Sequence, residues 1–248
     1  MRQFLIALQF LTVFPVRLKT PPGDTEFRQS VVCYPIIGLL IGLFLGGANY
    51  LLRLVFPVNI VPVCVLVFLI WITGGLHLDG LADTFDGLAG GKNREEILEI
   101  MHDSRIGAIG VLAIVCCVLL KWQFLDSLSI RAGKILVLMP VLSRWAVIPA
   151  IAVSESARTH GFGRSVADVG IVELVIGTLF AVVAGFCLAG YVALCLMAAI
   201  CVAVFLICLY FRLKLGGITG DVLGAIIEIS ELIVLAGYLI SAPAIINI

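Results

Sequence analysis

The chain has 248 residues, of which 62% are hydrophobic and 13% charged, with sixteen Lys and Arg offset by sixteen Asp and Glu. A soluble domain carries roughly 45–50% apolar and about 25% charged residues. With a mean hydropathy of +1.19, the composition excludes a water-soluble globule, a disordered chain and a nucleic-acid binder with a basic face, and it points to an all-α integral membrane protein.

The first stretch, 1–14, is apolar but short, and no small-residue cleavage site precedes Pro15. It suits an N-terminal interfacial helix rather than a removable signal. Seven later segments approach the roughly 20 apolar residues that a bilayer core demands: 36–56, 60–76, 106–125, 135–153, 171–189, 191–211 and 222–246. No internal repeat or low-complexity linker interrupts them. The expectation is one domain, 1–248, folded as a bundle of about seven transmembrane helices with the interfacial helix at its start. In the first span Gly38, Gly42 and Gly46 recur every fourth residue, which leaves one helix face bare for close packing. The eight cysteines sit in apolar runs without a CxxC pair and read as packing residues.

Lys and Arg set the orientation. With the N-terminus in the cytoplasm, Arg2, Arg17, Lys19, Arg28, Lys92, Arg94, Arg105, Arg158, Arg164, Arg212 and Lys214 all fall inside. The acidic residues fall on the same side, Asp126 excepted, so one membrane face is expected to carry the chemistry. Lys121, within a span, is expected to snorkel outward.

The stretch 74–91, GGLHLDGLADTFDGLAGG, places Asp79, Asp83 and Asp86 at i, i+4 and i+7. On a helix these share a face, and stacked carboxylates repel unless a cation lies between them. Oxygen-only ligands select a hard cation, Mg²⁺ or Mn²⁺. The flanking glycines allow close backbone approach or a break in the helix. His77 reads as a hydrogen-bond partner beside these acids. Asn93, with Glu96 three residues on, resembles a capping box, and Glu95, Glu96 and Glu99 are expected to face water. Asp103 and Arg105 form either a membrane-edge ion pair or a phosphate grip, Arg supplying a planar fork for phosphate oxygens.

Downstream, the loop 154–168 holds Arg158, His160 and Arg164, a candidate phosphate grip. Arg144 lies inside a span, either snorkelling, ion-paired or facing substrate. The last span opens with KLGGITGD, 214–221, and carries Asp221 and Glu228 at i and i+7. An intramembrane acid is a functional hypothesis by default, so both are counted as candidate metal ligands. The alternatives are a helix cap for Asp221 and a Lys partner for Glu228. Gly216, Gly217 and Gly220 could turn backbone N–H groups toward an anion. Aspartates that hold Mg²⁺, arginines near them and glycine-rich helix starts suffice for phosphoryl transfer, which is mostly positioning and electrostatics. The residues alone therefore suggest a membrane-embedded, Mg²⁺-dependent transferase acting on a diphosphate.

The blocks GGLHLDGLADTFDGLAGG, EIMHDSRIGAIG and LGGITGDVLGAIIEISEL, with the N-terminal LQFLTVFPV and YPIIGLLIG, resemble the cobalamin synthase, or adenosylcobinamide-GDP ribazoletransferase, family over nearly the whole chain. Val13 and His102 depart from that pattern, where Arg and Lys are usual. The resemblance implies a prokaryotic cytoplasmic-membrane enzyme that joins α-ribazole, or its 5′-phosphate, to adenosylcobinamide-GDP and releases GMP. It implies Mg²⁺ held by Asp79, Asp83 and Asp86, with Asp221 a further ligand or the base. It casts Arg105 as a phosphate contact; Asp83 is a candidate catalytic residue as well as a ligand. His77, Asp103, Arg144, Arg158 and Arg164 are candidate substrate contacts. Other membrane-bound enzymes of the pathway and a second copy of the chain are candidate partners. Two rival readings stay open. One is a membrane prenyltransferase or CDP-alcohol phosphotransferase; Asp83 stands where the latter motif wants Arg. The other is a transporter with carboxylates on its path.

Overall fold

Pairs of glycines decide where this chain bends. The computed structural model describes residues 1–128, 132–157 and 169–246, and its regular elements there are helical. They are α1 (Arg2–Leu11), α2 (Asp24–Ser30), α3 (Tyr34–Leu52), α4 (Val61–Thr73), α5 (Leu76–Gly90), α6 (Arg94–Ile100), α7 (Ala108–Leu128), α8 (Ala132–Trp145), α9 (Val147–Ala152), α10 (Ile171–Ala189), α11 (Tyr191–Leu215) and α12 (Gly220–Ile246). Arg158, His160 and Arg164 lie outside the described residues.

Six helical stretches are long and apolar enough to cross a bilayer: Asp24–Leu52, Ala108–Leu128, Gly133–Ala152, Ile171–Ala189, Tyr191–Leu215 and Gly220–Ser241. A seventh exists only if α4 and α5 count together. The protein is thus an all-α integral membrane bundle, but the stretch 60–76 is not the simple span its hydropathy suggests. α4 has 13 residues, about 20 Å at 1.5 Å per residue, against roughly 30 Å of hydrocarbon. It stops at Gly74 and Gly75, whose φ values of 63° and 71° lie in the left-handed region, where side chains are disfavoured. The chain leaves that elbow as α5, bent by 87°. α1 is too short to span; it buries Ile6, Ala7 and Leu11 and is tied to α2 by the Arg2–Glu26 ion pair at 2.8 Å.

α8 and α9 form the enclosed spine, with Leu136, Leu138, Met139 and Val141 fully buried. Around it, α7, α10 and α11 leave large apolar side chains uncovered, among them Leu112, Leu119, Leu179, Val183, Phe205 and Leu206. An apolar surface of that extent is accounted for by lipid. The glycine stripe of α3 packs on the spine. A Cβ at Gly38 would collide with the Pro140 carbonyl, one at Gly42 would lie 2.6 Å from Val137 Cα, and one at Gly46 would only touch the Val137 side chain at 3.4 Å.

Overpacking a filled contact costs about 1–3 kcal/mol. Gly42→Leu should therefore lower the thermal unfolding temperature of detergent-purified protein clearly. Gly47→Ala, where an added Cβ meets nothing within 4 Å, should leave it unchanged or raise it.

Candidate active site

The elbow at Gly74–Gly75 lays α5 across the first turns of α12. The two backbones meet because neither carries a side chain at the crossing. A Cβ on Gly80 would lie 2.8 Å from the Asp221 carbonyl oxygen, and one on Gly224 would lie 3.3 Å from the His77 carbonyl oxygen and 3.4 Å from Gly80 Cα. That contact brings Asp79, on α5, and Asp221, on α12, to the walls of one cleft, closed on its other sides by Phe10 and Leu11 of α1, Tyr34 of α3 and Val147 of α9. Its volume is ≈ 130 Å³, close to the roughly 150 Å³ that holds a benzene ring. Asp79 is exposed and Asp83, one turn further along α5, is half-buried.

The start of α12 is held from outside the helix. Thr219 caps it, accepting from the Val222 N–H at 3.2 Å, and its hydroxyl donates to Asp221 Oδ2 at 3.3 Å. Asp221 is therefore not the cap. The preceding turn passes through Gly216 at φ 74° and pairs with the chain after α9. The Ile218 N–H donates to the Glu155 carbonyl and the Ala157 N–H to the Ile218 carbonyl, both at 2.9 Å. Arg94 then stitches α6 to this turn, Nε donating to the Leu215 carbonyl at 2.8 Å and Nη2 to the Ala157 carbonyl at 3.0 Å. Sequence reasoning missed Arg94 as a positioning residue, since a lone Arg at a helix start carries no motif. The Asn93 cap forms, its side chain accepting from the Glu96 N–H at 3.0 Å, while Glu96 reaches back to Lys92 N–H at 2.9 Å.

The remaining expected ligands are placed elsewhere. Asp86 accepts from the N–H groups of Gly107 (2.7 Å) and Gly110 (2.8 Å). Both of its oxygens thus satisfy orphan donors at the start of α7, and a Cβ on either glycine would collide with the carboxylate. This replaces the expectation that Asp86 shares a metal with Asp79. Glu228 is 5% exposed and its carboxylate is bound by Lys121 Nζ at 2.6 Å, which corrects its reading as a metal ligand. Glu231 is bound by both Lys121 and Arg144. Arg144, 0% exposed, neither snorkels nor lines the cleft, and Lys121 is buried rather than snorkelling outward. The reason is the same for all four: charges inside a span persist only when paired, and two cations with two carboxylates balance. Asp103 and Arg105 pair at 2.6 Å on the exposed surface. The hydrogen bonds from Arg105 hold the Asp103 carboxyl at about 2, so it is ionised at neutral pH. Among the described residues no three His, Cys, Asp or Glu side chains gather into a ready-made metal cluster.

Comparison with known proteins decides the family. Residues 3–239 match the family described as cobalamin-5-phosphate synthase. The chain belongs to that family. It is similar to proteins named adenosylcobinamide-GDP ribazoletransferase. The one from Caldanaerobacter subterraneus subsp. tengcongensis is 39% identical, with 94% of this chain and 96% of the relative aligned. The one from Acetivibrio thermocellus is 36% identical over 93% and 94%, and that from Geotalea daltonii 35% over 95% and 96%. No solved structure matches. The chain is accordingly a transferase.

Truncating one member of a buried charge group strands its partner, at a cost of about 3–5 kcal/mol. Lys121→Met should destabilise the protein to that extent in thermal unfolding. Adding Glu228→Leu should recover part of the loss, because the stranded carboxylate is then gone.

Proposed function

We propose that this protein is an Mg²⁺-dependent adenosylcobinamide-GDP ribazoletransferase of the prokaryotic cytoplasmic membrane, with the cleft opening to the cytoplasm. The reading rests on one observation above all: Asp79 and Asp221, from distant parts of the chain, line a single cleft at the glycine crossing. The relatives' name supports adenosylcobinamide-GDP as one substrate, and we take α-ribazole or its 5′-phosphate as the other.

The donor set fits Mg²⁺. This ion uses one or two protein carboxylates together with substrate phosphates and waters rather than an all-protein cage, so a third converging acid is not required. Asp79 and Asp83 would hold it. When bound with the diphosphate, it would neutralise charge that develops on the phosphoryl oxygens. The residues then divide the work. The ribazole 3′-hydroxyl is positioned against the phosphorus on the cobinamide side. As its oxygen bonds to that phosphorus, its proton passes to Asp221, and the bond from phosphorus to the bridging oxygen breaks to release GMP. Asp221 suits the base because Thr219 steadies one of its oxygens while the helix start keeps it at the cleft wall. Arg105 is exposed and would exchange Asp103 for a phosphate oxygen. The closed cleft walls of Phe10, Leu11 and Tyr34 keep bulk water from competing as a nucleophile.

Membranes carrying the protein, given adenosylcobinamide-GDP, α-ribazole and Mg²⁺, should release GMP, and a chelator should abolish the release. Asp79→Asn and Asp221→Asn should each lower turnover by about 10²-fold or more, the size usual for loss of an acid–base or charge-stabilising group. Gly80→Ala should lower turnover by displacing Asp221 without removing any functional group. Full activity of Asp79→Asn at saturating Mg²⁺ would dismiss the metal assignment.

A further inference from the structure

His77 joins the cleft to the buried charges. It is 3% exposed and forms part of the cleft wall between Leu76 and Asp79. One edge of its ring, at Nδ1, lies 3.4 Å from Arg144 Nη2. The other edge carries Nε2, which is buried and makes no hydrogen bond to the described residues. A guanidinium can only donate. The contact with Arg144 therefore requires the Nδ1 lone pair, and a neutral ring whose Nδ1 accepts carries its hydrogen on Nε2. Arg144 is itself fixed: Nη1 donates to Ser143 Oγ at 2.8 Å and to the Glu231 carboxylate, and Glu231 is held by Lys121 as well. A buried donor without a partner is costly, and one in a cleft wall is available to a ligand.

The surroundings say what kind of ligand. Phe10, Leu11, Val147, Leu223 and Ile227 make the cleft mostly apolar, and its ≈ 130 Å³ is close to the roughly 150 Å³ of a cavity that takes a flat aromatic group. We propose that Arg144, anchored by Glu231, fixes His77 with its hydrogen on Nε2, and that this N–H donates to the unsubstituted ring nitrogen of the azole base of α-ribazole as the base enters the cleft. His77 is then a specificity-determining contact and Arg144 a positioning residue acting through it. The inference rests on the ribazole reading above and deepens it. An apolar wall that offers an N–H donor favours a flat, hydrocarbon-rich base that bears an acceptor. A site built around a hydrogen bond rejects an analogue that cannot make it far more strongly than an apolar pocket rejects a change of size.

The test has two arms. The first reads the ring directly. Solid-state NMR of the protein in liposomes with isotope-labelled histidine, taken as a difference between wild type and His77→Gln, assigns the signals of His77 among the three histidines. The expected result is a neutral ring protonated at Nε2, and a mixture of tautomers in Arg144→Lys, which keeps the charge beside Glu231 but loses the planar fork. A ring protonated at Nδ1 in wild type would overturn the proposal whatever the enzyme's activity.

The second arm compares the ribosides of dimethylbenzimidazole and dimethylindole, the latter having carbon in place of the acceptor nitrogen. Wild type should favour the benzimidazole riboside in kcat/KM by about tenfold or more. His77→Ala should erase that preference, and His77→Gln, whose amide N–H can stand near Nε2–H, should retain part of it. Equal losses for both ribosides in His77→Ala would place the donor on another part of the substrate and overturn the assignment. No GMP from wild type with either riboside would instead count against the proposed reaction, and the NMR arm would still judge the His77 geometry.

Discussion

The approach of two helix backbones at Gly80 and Gly224 is the contact on which the site depends. Any side chain at Gly80 would press on the Asp221 backbone, and the two carboxylates would part. The constraint explains the local order of residues. Each aspartate sits directly beside a glycine, Asp79 before Gly80 and Gly220 before Asp221, so the residue that permits contact and the residue that uses it are neighbours. The elbow at Gly74 and Gly75 is the second requirement, since only a sharp turn out of the short α4 lets α5 lie across α12.

The quartet of Lys121, Arg144, Glu228 and Glu231 answers a different physical demand. Polar groups in a span cannot reach water, and each ion must find its opposite within the bundle. These four come from α7, α8 and α12, so satisfying them also fixes how those helices meet. Burying such a group is weak evidence for net stability, but it makes the arrangement unforgiving of change. One member, Arg144, touches His77, so the charge balance of the core reaches the wall of the cleft.

Asp86 shows how one pattern can serve two purposes. Three acids at helical spacing look like a single ligand set. In the fold the first faces the cleft, while the third is consumed at the start of α7, where Gly107 and Gly110 leave room for it. Repulsion among stacked carboxylates is relieved here partly by backbone donors. That outcome was legible only in outline, because the glycines that receive Asp86 lie two helices away.

Hydropathy alone determined that this chain lives in a bilayer, and most of its spans, because the cost of exposing backbone and charge to lipid acts on any contiguous run of residues. Local chemistry also determined the glycine stripe of α3, the Asn93 cap and the break at Gly74–Gly75, each being a matter of a few adjacent residues. Tertiary structure decided the rest: that Glu228 and Arg144 serve the core, that Arg94 braces the turn before Asp221, and that Asp79 meets Asp221. Those facts depend on which helix faces which, and a pairing between residues distant in the chain leaves no trace in the spacing of either one.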